Sequence, residues 1–225
     1  MEFAGLQKTS LIDFPDQIAT VVFTPGCNLR CPYCHNWRLV LAPKGPFLSD
    51  NTLLDLLASR RQYINAVVIT GGEPTLHSMI PQFLKTLKER GFATKIDTNG
   101  FFPDVLQRCL PYVDYVALDI KTSIERYPLL GAETTDPLLR TITLLKDGHT
   151  EYECRSTVVP GFVDDSTVHP MGAMVAGMSR FVFQQFVPGD TLDPTFAILR
   201  PHSPETIAHF ADLMRSYVAE VMLRL

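Results

Sequence analysis

Along most of this chain, short runs rich in β-branched and aromatic residues alternate with longer segments of helical period. That alternation restricts the fold to parallel strands joined by crossover helices. The runs predict strands at Ala19–Phe23, Ala66–Thr70, Ala93–Asp97, Tyr115–Asp119, Tyr152–Val158 and Arg180–Phe186. Helices fit between them at Ser49–Arg60, opened by a Ser or Asp N-cap, at Met79–Arg90, ended by Gly91, at Pro103–Cys109, at Pro137–Lys146 and near Val168–Ala176. A last helix is expected over Pro204–Leu223, with Ile207, Phe210, Leu213, Met214, Tyr217, Val218, Val221 and Met222 on one apolar face. Six strand–helix units are too few to close an eight-stranded barrel; an incomplete (β/α) barrel and an open doubly wound sheet both accommodate them.

Either architecture gathers its functional groups at the C-terminal ends of the strands, and the polar motifs fall there. TPGCNLRCPYCHNW follows the first strand, GGEPT the second, DTNG the third, DIK the fourth, RSTVVPG the fifth and QQFVPG the sixth. With 225 residues, 46% of them hydrophobic, and no repeat or low-complexity segment, residues 1–225 are expected to form a single domain. A formal charge of −4 without long runs of one sign argues against a nucleic-acid groove or an anionic membrane surface. The N-terminus has no basic region followed by an apolar one, so a cytoplasmic location is expected.

Five cysteines are present, and Cys27, Cys31 and Cys34 form CxxxCxxC in a loop with Pro25, Gly26, Asn28 and Pro32. Three thiolates so close in sequence suit a metal rather than a disulfide framework. They can hold three corners of a [4Fe–4S] cluster, leaving the fourth iron open for reaction. A zinc site completed by His35, or a fully ligated electron-transfer cluster, is the competing reading. Cys109 and Cys154 are expected to be buried thiols, and His77, His149, His169, His202 and His209 share no ligand spacing.

CNLRCPYC, with an aromatic residue before its third cysteine, resembles the defining motif of the radical S-adenosylmethionine (radical SAM) superfamily, and GGEP at Gly71–Pro74 is the usual companion. The resemblance implies an incomplete (β/α)6 TIM-like barrel of parallel strands with outer helices. It also implies one [4Fe–4S] cluster on Cys27, Cys31 and Cys34, the catalytic metal site. S-adenosylmethionine would chelate the open iron and yield, on one-electron reduction, methionine and a 5′-deoxyadenosyl radical that takes hydrogen from the substrate. For such a ligand, Gly71 and Gly72 would let the backbone approach closely. Glu73 or a nearby carbonyl would accept from its ammonium.

DTNG followed by DIK resembles the activating-enzyme branch, whose members install a glycyl radical in a partner enzyme. In that branch Asp97 and Asp119 would flank S-adenosylmethionine and help hold a monovalent cation, Lys121 would contact it, and Tyr33 and His35 would lie by the nucleoside. Asn99, in the same turn as Asp97, joins the candidate cofactor-binding residues. The opening GLQKTSLIDFPDQIATVVFTPGCNLRCPYCHN is similar to the short activases of anaerobic (class III) ribonucleotide reductase, with pyruvate formate-lyase activase a relative. The implied partners are that reductase and a flavodoxin or ferredoxin as electron donor, because no cysteine insert for a second cluster is present. A histidine expected after the sixth strand is missing, leaving its contact to Gln184 or Gln185. Arg155 is expected to face inward, toward a carboxylate. The resemblance to 7-carboxy-7-deazaguanine synthases, which act on a small molecule, is thinner. A non-catalytic metal-binding module is the third reading.

Overall fold

The computed structural model describes all residues of the chain except 42 and 44. Each of the six predicted apolar runs forms a strand: β3 (Ala19–Thr24), β5 (Ala66–Gly71), β6 (Ala93–Thr98), β7 (Tyr115–Asp119), β8 (Glu151–Val158) and β9 (Arg180–Gln185). They pair in parallel in that order, and the crossovers carry helices α2 (Asp50–Ser59), α3 (Ile80–Glu89), α4 (Pro103–Cys109), α5 (Asp136–Lys146) and α6 (Asp165–Met174). Ser49 caps α2 by accepting from the Thr52 N–H, and Asp164 caps α6 in a reciprocal capping box with Thr167. The short helix α1 (Trp37–Leu41) follows the cysteine loop.

Two edge strands were not legible. β2 (Gly5–Ser10) lies antiparallel to β3, and its mostly polar, exposed residues give no apolar run. At the other edge, the predicted final helix is corrected: α7 stops at Met214 (Pro204–Met214), and Glu220–Arg224 forms β10, parallel to β9. The apolar spacing continues past Met214, but the chain is turned there by bonds from the Gly177 N–H to the Tyr217 carbonyl and from the Glu220 N–H to the Ser179 carbonyl. The open edge of β9 then gains a ladder that a longer helix could not supply. Two short segments, β1 (Glu2–Phe3) and β4 (Leu48–Ser49), pair separately.

The resulting sheet has the order β10-β9-β8-β7-β6-β5-β3-β2, with β2 and β10 as unjoined edges, an incomplete TIM-like barrel. Strand alternation separates its two faces. Val22, Val67, Ile69, Ile96, Val116, Leu118, Phe181 and Phe183 belong to the large apolar core with the helices, whereas Ala19, Val21, Ala66, Val68 and Tyr115 enclose Phe14 in a smaller inner cluster. Above that inner cluster the interior becomes charged, with Lys95, Asp97, Glu153 and Arg155 on inward positions. Among the described residues no helix is long and apolar enough to cross a membrane.

Candidate active site

The loop after β3 turns at Gly26, where φ is +77°, and carries Cys27, Cys31 and Cys34 around one cavity of about 240 Å³ at the C-terminal end of the strands. Its backbone is tied down at three carbonyls. The side chain of His77 bonds the Pro25 carbonyl at 2.8 Å, the Leu192 N–H donates to the Cys34 carbonyl at 3.1 Å, and the Asp193 N–H donates to the Pro32 carbonyl at 2.8 Å. Burial pushes the Cys27 thiol up to about 12 and the Cys31 thiol to about 11, and raises Cys34 as well. Such thiols ionise when a metal takes the proton's place.

The donor set fits a cluster better than a single ion. Among the described residues no three His, Cys, Asp or Glu side chains converge on one point where an ion could sit. In a cubane cluster each thiolate holds a different iron, so spread sulfurs are what it needs. His35, the fourth ligand of the zinc reading, is exposed, and its ring lies 6.1 Å from that of Phe186 at an interplanar angle of 28°. Cys109 is fully buried in α4, and Cys154 points to the outer face of β8 beside the Met178 sulfur at 3.1 Å. Neither lines the cavity, so three cysteines remain for four irons.

The glycines of GGEP line the cavity and also serve the packing of two loops. A Cβ on Gly72 would lie 1.8 Å from the Gly26 carbonyl oxygen, and one on Gly71, whose φ is +118°, would lie 2.4 Å from the Thr24 nitrogen. Both positions are therefore glycine so that the end of β5 can press against the end of β3 at Gly71 and the cysteine loop at Gly72. The Gly72 N–H donates to the Thr24 carbonyl at 2.9 Å and the Glu73 N–H to the Gly26 carbonyl at 2.8 Å. Asn36 Nδ2 adds a bond to the Gly71 carbonyl at 3.0 Å. Glu73 is 1% exposed and already satisfied: Oε1 accepts from the Thr75 N–H and the hydroxyls of Thr75 and Thr98, and Oε2 from the Asn99 N–H at 2.6 Å. Burial raises its carboxyl, opposed by those bonds. It joins the ends of β5 and β6 and also lines the cavity. Asn99 in turn reaches the cysteine loop, its Nδ2 lying 2.8 Å from Asn28 Oδ1 and 3.6 Å from Cys27 Sγ.

Opposite the cysteines, Arg155 does face inward and bridges two carboxylates, with Nε 2.9 Å from Asp119 Oδ1 and a terminal nitrogen 3.4 Å from Asp97 Oδ2. Lys95 pairs with Asp97 Oδ1 at 2.5 Å and Lys121 with Asp119 Oδ2 at 2.8 Å. The order Lys95–Asp97–Arg155–Asp119–Lys121 thus holds three cations and two anions, one positive charge in excess. Burial alone would raise the Asp119 carboxyl, but Arg155 and Lys121 outweigh it and hold the group well below the usual carboxylate range. The Arg155 guanidinium thus places a positive charge between Asp97 and Asp119. Lys95 escaped the motif reading, although it sits two residues before Asp97 and so shares its face.

Tyr33 is buried against Phe162 and Phe196, at ring distances of 5.1 and 6.2 Å, and its hydroxyl has no hydrogen-bond partner. Trp37, Phe186, Val40 and Leu192 give the cavity an apolar wall on the His35 side. Gln184 and Gln185 do not line it. They border the adjoining opening between β2 and β10, and Gln185 Nε2 is bonded to the Phe186 carbonyl at 3.1 Å. Asp190 accepts from the Trp37 indole at 3.2 Å and pairs with Arg38, fastening the segment after β9 to α1.

The sequence model of the Radical SAM superfamily matches residues 21–169. A Methanocaldococcus jannaschii protein, named provisionally as a glycyl-radical enzyme activating enzyme, is 31% identical over 98% of this chain and 95% of its own. The pyruvate formate-lyase 1-activating enzyme of Escherichia coli K12 is 25% identical over 97% of this chain and 96% of its own. Among solved structures, QueE from Escherichia coli superposes with a TM-score of 0.59 at 18% identity, over 100% of this chain and 94% of that one. Streptococcus suis SuiB bound to S-adenosylmethionine gives 0.70 at 14% identity, over 91% and 51%. At those identities the likeness is one of fold.

Proposed function

The chain belongs to the radical SAM superfamily, whose members use a [4Fe–4S] cluster and S-adenosylmethionine, and from that premise we propose that it activates a glycyl-radical enzyme by removing hydrogen from a backbone glycine. The partner in this reading is an anaerobic ribonucleotide reductase, and residues 1–225 act as one catalytic domain in the cytoplasm. The observation that carries the proposal is the ring of three cysteines, without a fourth, facing an ionic network with excess positive charge, in a chain similar over nearly its whole length to activating enzymes.

Cys27, Cys31 and Cys34 would hold three irons. When bound, the cluster supplies the electron that splits S-adenosylmethionine into methionine and a 5′-deoxyadenosyl radical. The remaining work belongs to the chain. The excess charge of the Lys95–Lys121 network draws in the ligand's carboxylate, with Lys121 and Arg155 nearest the cavity. Carbonyls of the GGEP turn accept from its ammonium, while Glu73 and Asn99 keep that turn against the cysteine loop. The flat apolar wall of His35, Trp37 and Phe186 takes the adenine. Tyr33 also lines the cavity, its ring held against Phe162 and Phe196.

Because Cys109 and Cys154 are buried singly and away from the cavity, this reading has one cluster and an outside electron donor, flavodoxin or ferredoxin. The test is anaerobic reconstitution with iron, sulfide, S-adenosylmethionine and a reductant, followed by electron paramagnetic resonance on added reductase. A glycyl radical on the reductase is expected. Abundant 5′-deoxyadenosine with no radical on the reductase refutes that partner, and its formation only with a small metabolite refutes the activase reading.

A further inference from the structure

We infer that the side-chain amide of Asn99 is a hydrogen-bond donor to the Cys27 sulfur in the cluster-bearing protein, and that this bond raises the reduction potential of the cluster. The inference rests on Cys27, Cys31 and Cys34 being the ligands, as the proposed function has them. Asn99 lines the cavity with Cys27, is 5% exposed and is held from two sides. Its backbone N–H donates to Glu73 Oε2 at 2.6 Å, and its Oδ1 accepts from the Phe101 N–H at 3.1 Å. That second bond assigns the oxygen end of the amide. The nitrogen end therefore faces the cysteine loop, with two hydrogens to place and two acceptors to receive them, Asn28 Oδ1 at 2.8 Å and Cys27 Sγ at 3.6 Å.

The sulfur has a second donor as well. The Leu29 N–H reaches Cys27 Sγ at 3.4 Å from two residues further along the loop. As a free thiol, Cys27 lies 3.8 Å from Asn28 Oδ1, an acceptor that the Asn99 amide already satisfies. Once a metal takes the proton's place the sulfur can only accept, and both donors already stand around it. A donor to a ligand sulfur favours the form carrying more negative charge, and reduction adds one electron, so each bond shifts the cluster toward its reduced state. The Leu29 bond belongs to the backbone of the loop. The Asn99 bond comes from a side chain at the end of β6, 72 residues away, and is therefore the one that a substitution can remove.

The test is a redox titration of the reduced cluster by electron paramagnetic resonance in the iron-loaded anaerobic protein. Asn99→Leu keeps the size of the side chain and the backbone bond to Glu73 but has no donor to offer. At equal iron content, its reduced-to-oxidised ratio at a fixed potential should fall about threefold to tenfold, the upper figure being about 59 mV for one electron. A residue that only braced the turn would lower stability and leave the midpoint where it was. If Asn99→Leu fails to load, the wild type decides the matter. With asparagine carrying a heavy nitrogen isotope in its side-chain amide, pulsed electron paramagnetic resonance should show a nitrogen coupled to the reduced cluster, and the coupling should survive Asn28→Ser. The amide of Asn36, which also lines the cavity, is engaged by the Gly71 carbonyl at 3.0 Å. An unmoved midpoint in the loaded variant, no coupled nitrogen, or a coupling lost with Asn28 overturns the inference while leaving the ligand reading intact. Full iron retention by Cys27→Ala overturns the ligand reading itself, and with it the inference.

Discussion

Replacing Arg155 by methionine breaks the ionic network at its centre, and the cost can be worked from the geometry. The substitution removes the bonds at 2.9 Å to Asp119 and 3.4 Å to Asp97. Charge-assisted bonds are worth about 1.5–3 kcal/mol each, and orphaning a buried charge costs about 3–5 kcal/mol. Neither carboxylate is orphaned here, because Lys95 still pairs with Asp97 and Lys121 with Asp119. Methionine also packs apolar surface into the vacated space. The expected loss is therefore about 3 kcal/mol at pH 7, near the low end of that range.

Urea unfolding at matched iron content measures it. With a slope of about 3 kcal/mol/M for a chain of this size, the midpoint should fall by about 1 M with the slope unchanged. The pH dependence carries a sign. The Asp119 carboxyl is lowered in the folded protein, so its stabilisation is fully present above the unfolded value of about 3.9 and is lost only as pH falls through the folded value. In Arg155→Met the folded carboxyl moves upward, and below that new value the variant binds a proton that the wild type does not. The gap between the proteins is thus greatest near neutrality and narrows on acidification. A midpoint shift under about 0.2 M at pH 7, or a gap that widens with acid, would refute the network as a source of stability.

Gly72→Ala should abolish the folded state or cost more than about 4 kcal/mol, because backbone stands 1.8 Å from the new methyl, while Gly5→Ala, with nothing within 4 Å, should change the urea midpoint little. Cys27→Ala, Cys31→Ala and Cys34→Ala should each lose the iron that the wild type takes up on reconstitution, whereas Cys109→Ala and Cys154→Ala should keep it and lose about 1 kcal/mol for a small void, read by iron analysis and thermal unfolding. Arg224→Met removes bonds of 2.9 and 2.7 Å from Glu153, which is 1% exposed; discounted for the partial exposure of Arg224, the cost is about 2 kcal/mol, a melting point lower by about 4–8 °C.

What could be read from the sequence followed from periodicity and from local chemistry. The six inner strands announce themselves because a strand covered on both faces needs continuous apolar or β-branched residues, as in AVVIT and YVALD. The edge strands do not. GLQKTS faces solvent over Gln7, Lys8 and Thr9, and EVMLR continues the apolar spacing of the helix before it, so only the unsatisfied edge of β9 decides its conformation. The cysteine loop is legible as a motif because its three cysteines fall within eight residues at one strand end, where they line one cavity. The GGEP glycines were visible as a motif, yet their reason was not: the contact that forbids a side chain lies across 46 residues, between Gly72 and Gly26. Lys95 went unnoticed for a related reason, since a lysine in a strand reads as an outward residue until the register turns it toward Asp97.

These two facts are connected. The cysteine loop and the ionic network are separate in sequence and are brought into register by the ends of β5 and β6, where Glu73 gathers donors from Thr75, Thr98 and Asn99. Asn99 passes that constraint to Asn28 and toward Cys27, while Lys121 leads from the network toward Cys31 and helps to draw its thiol down against burial. The result is a cavity with thiols on one wall, which become anionic on binding metal, and one surplus positive charge on the other. Such a site can concentrate negative charge from a cluster and a carboxylate without carrying an unpaired buried charge of its own, because every carboxylate in the network keeps a cation at 3.4 Å or closer. A chain that needed only to hold a structural metal would gain nothing from that surplus, which is why the proposed function gives the five-residue network the ligand's carboxylate.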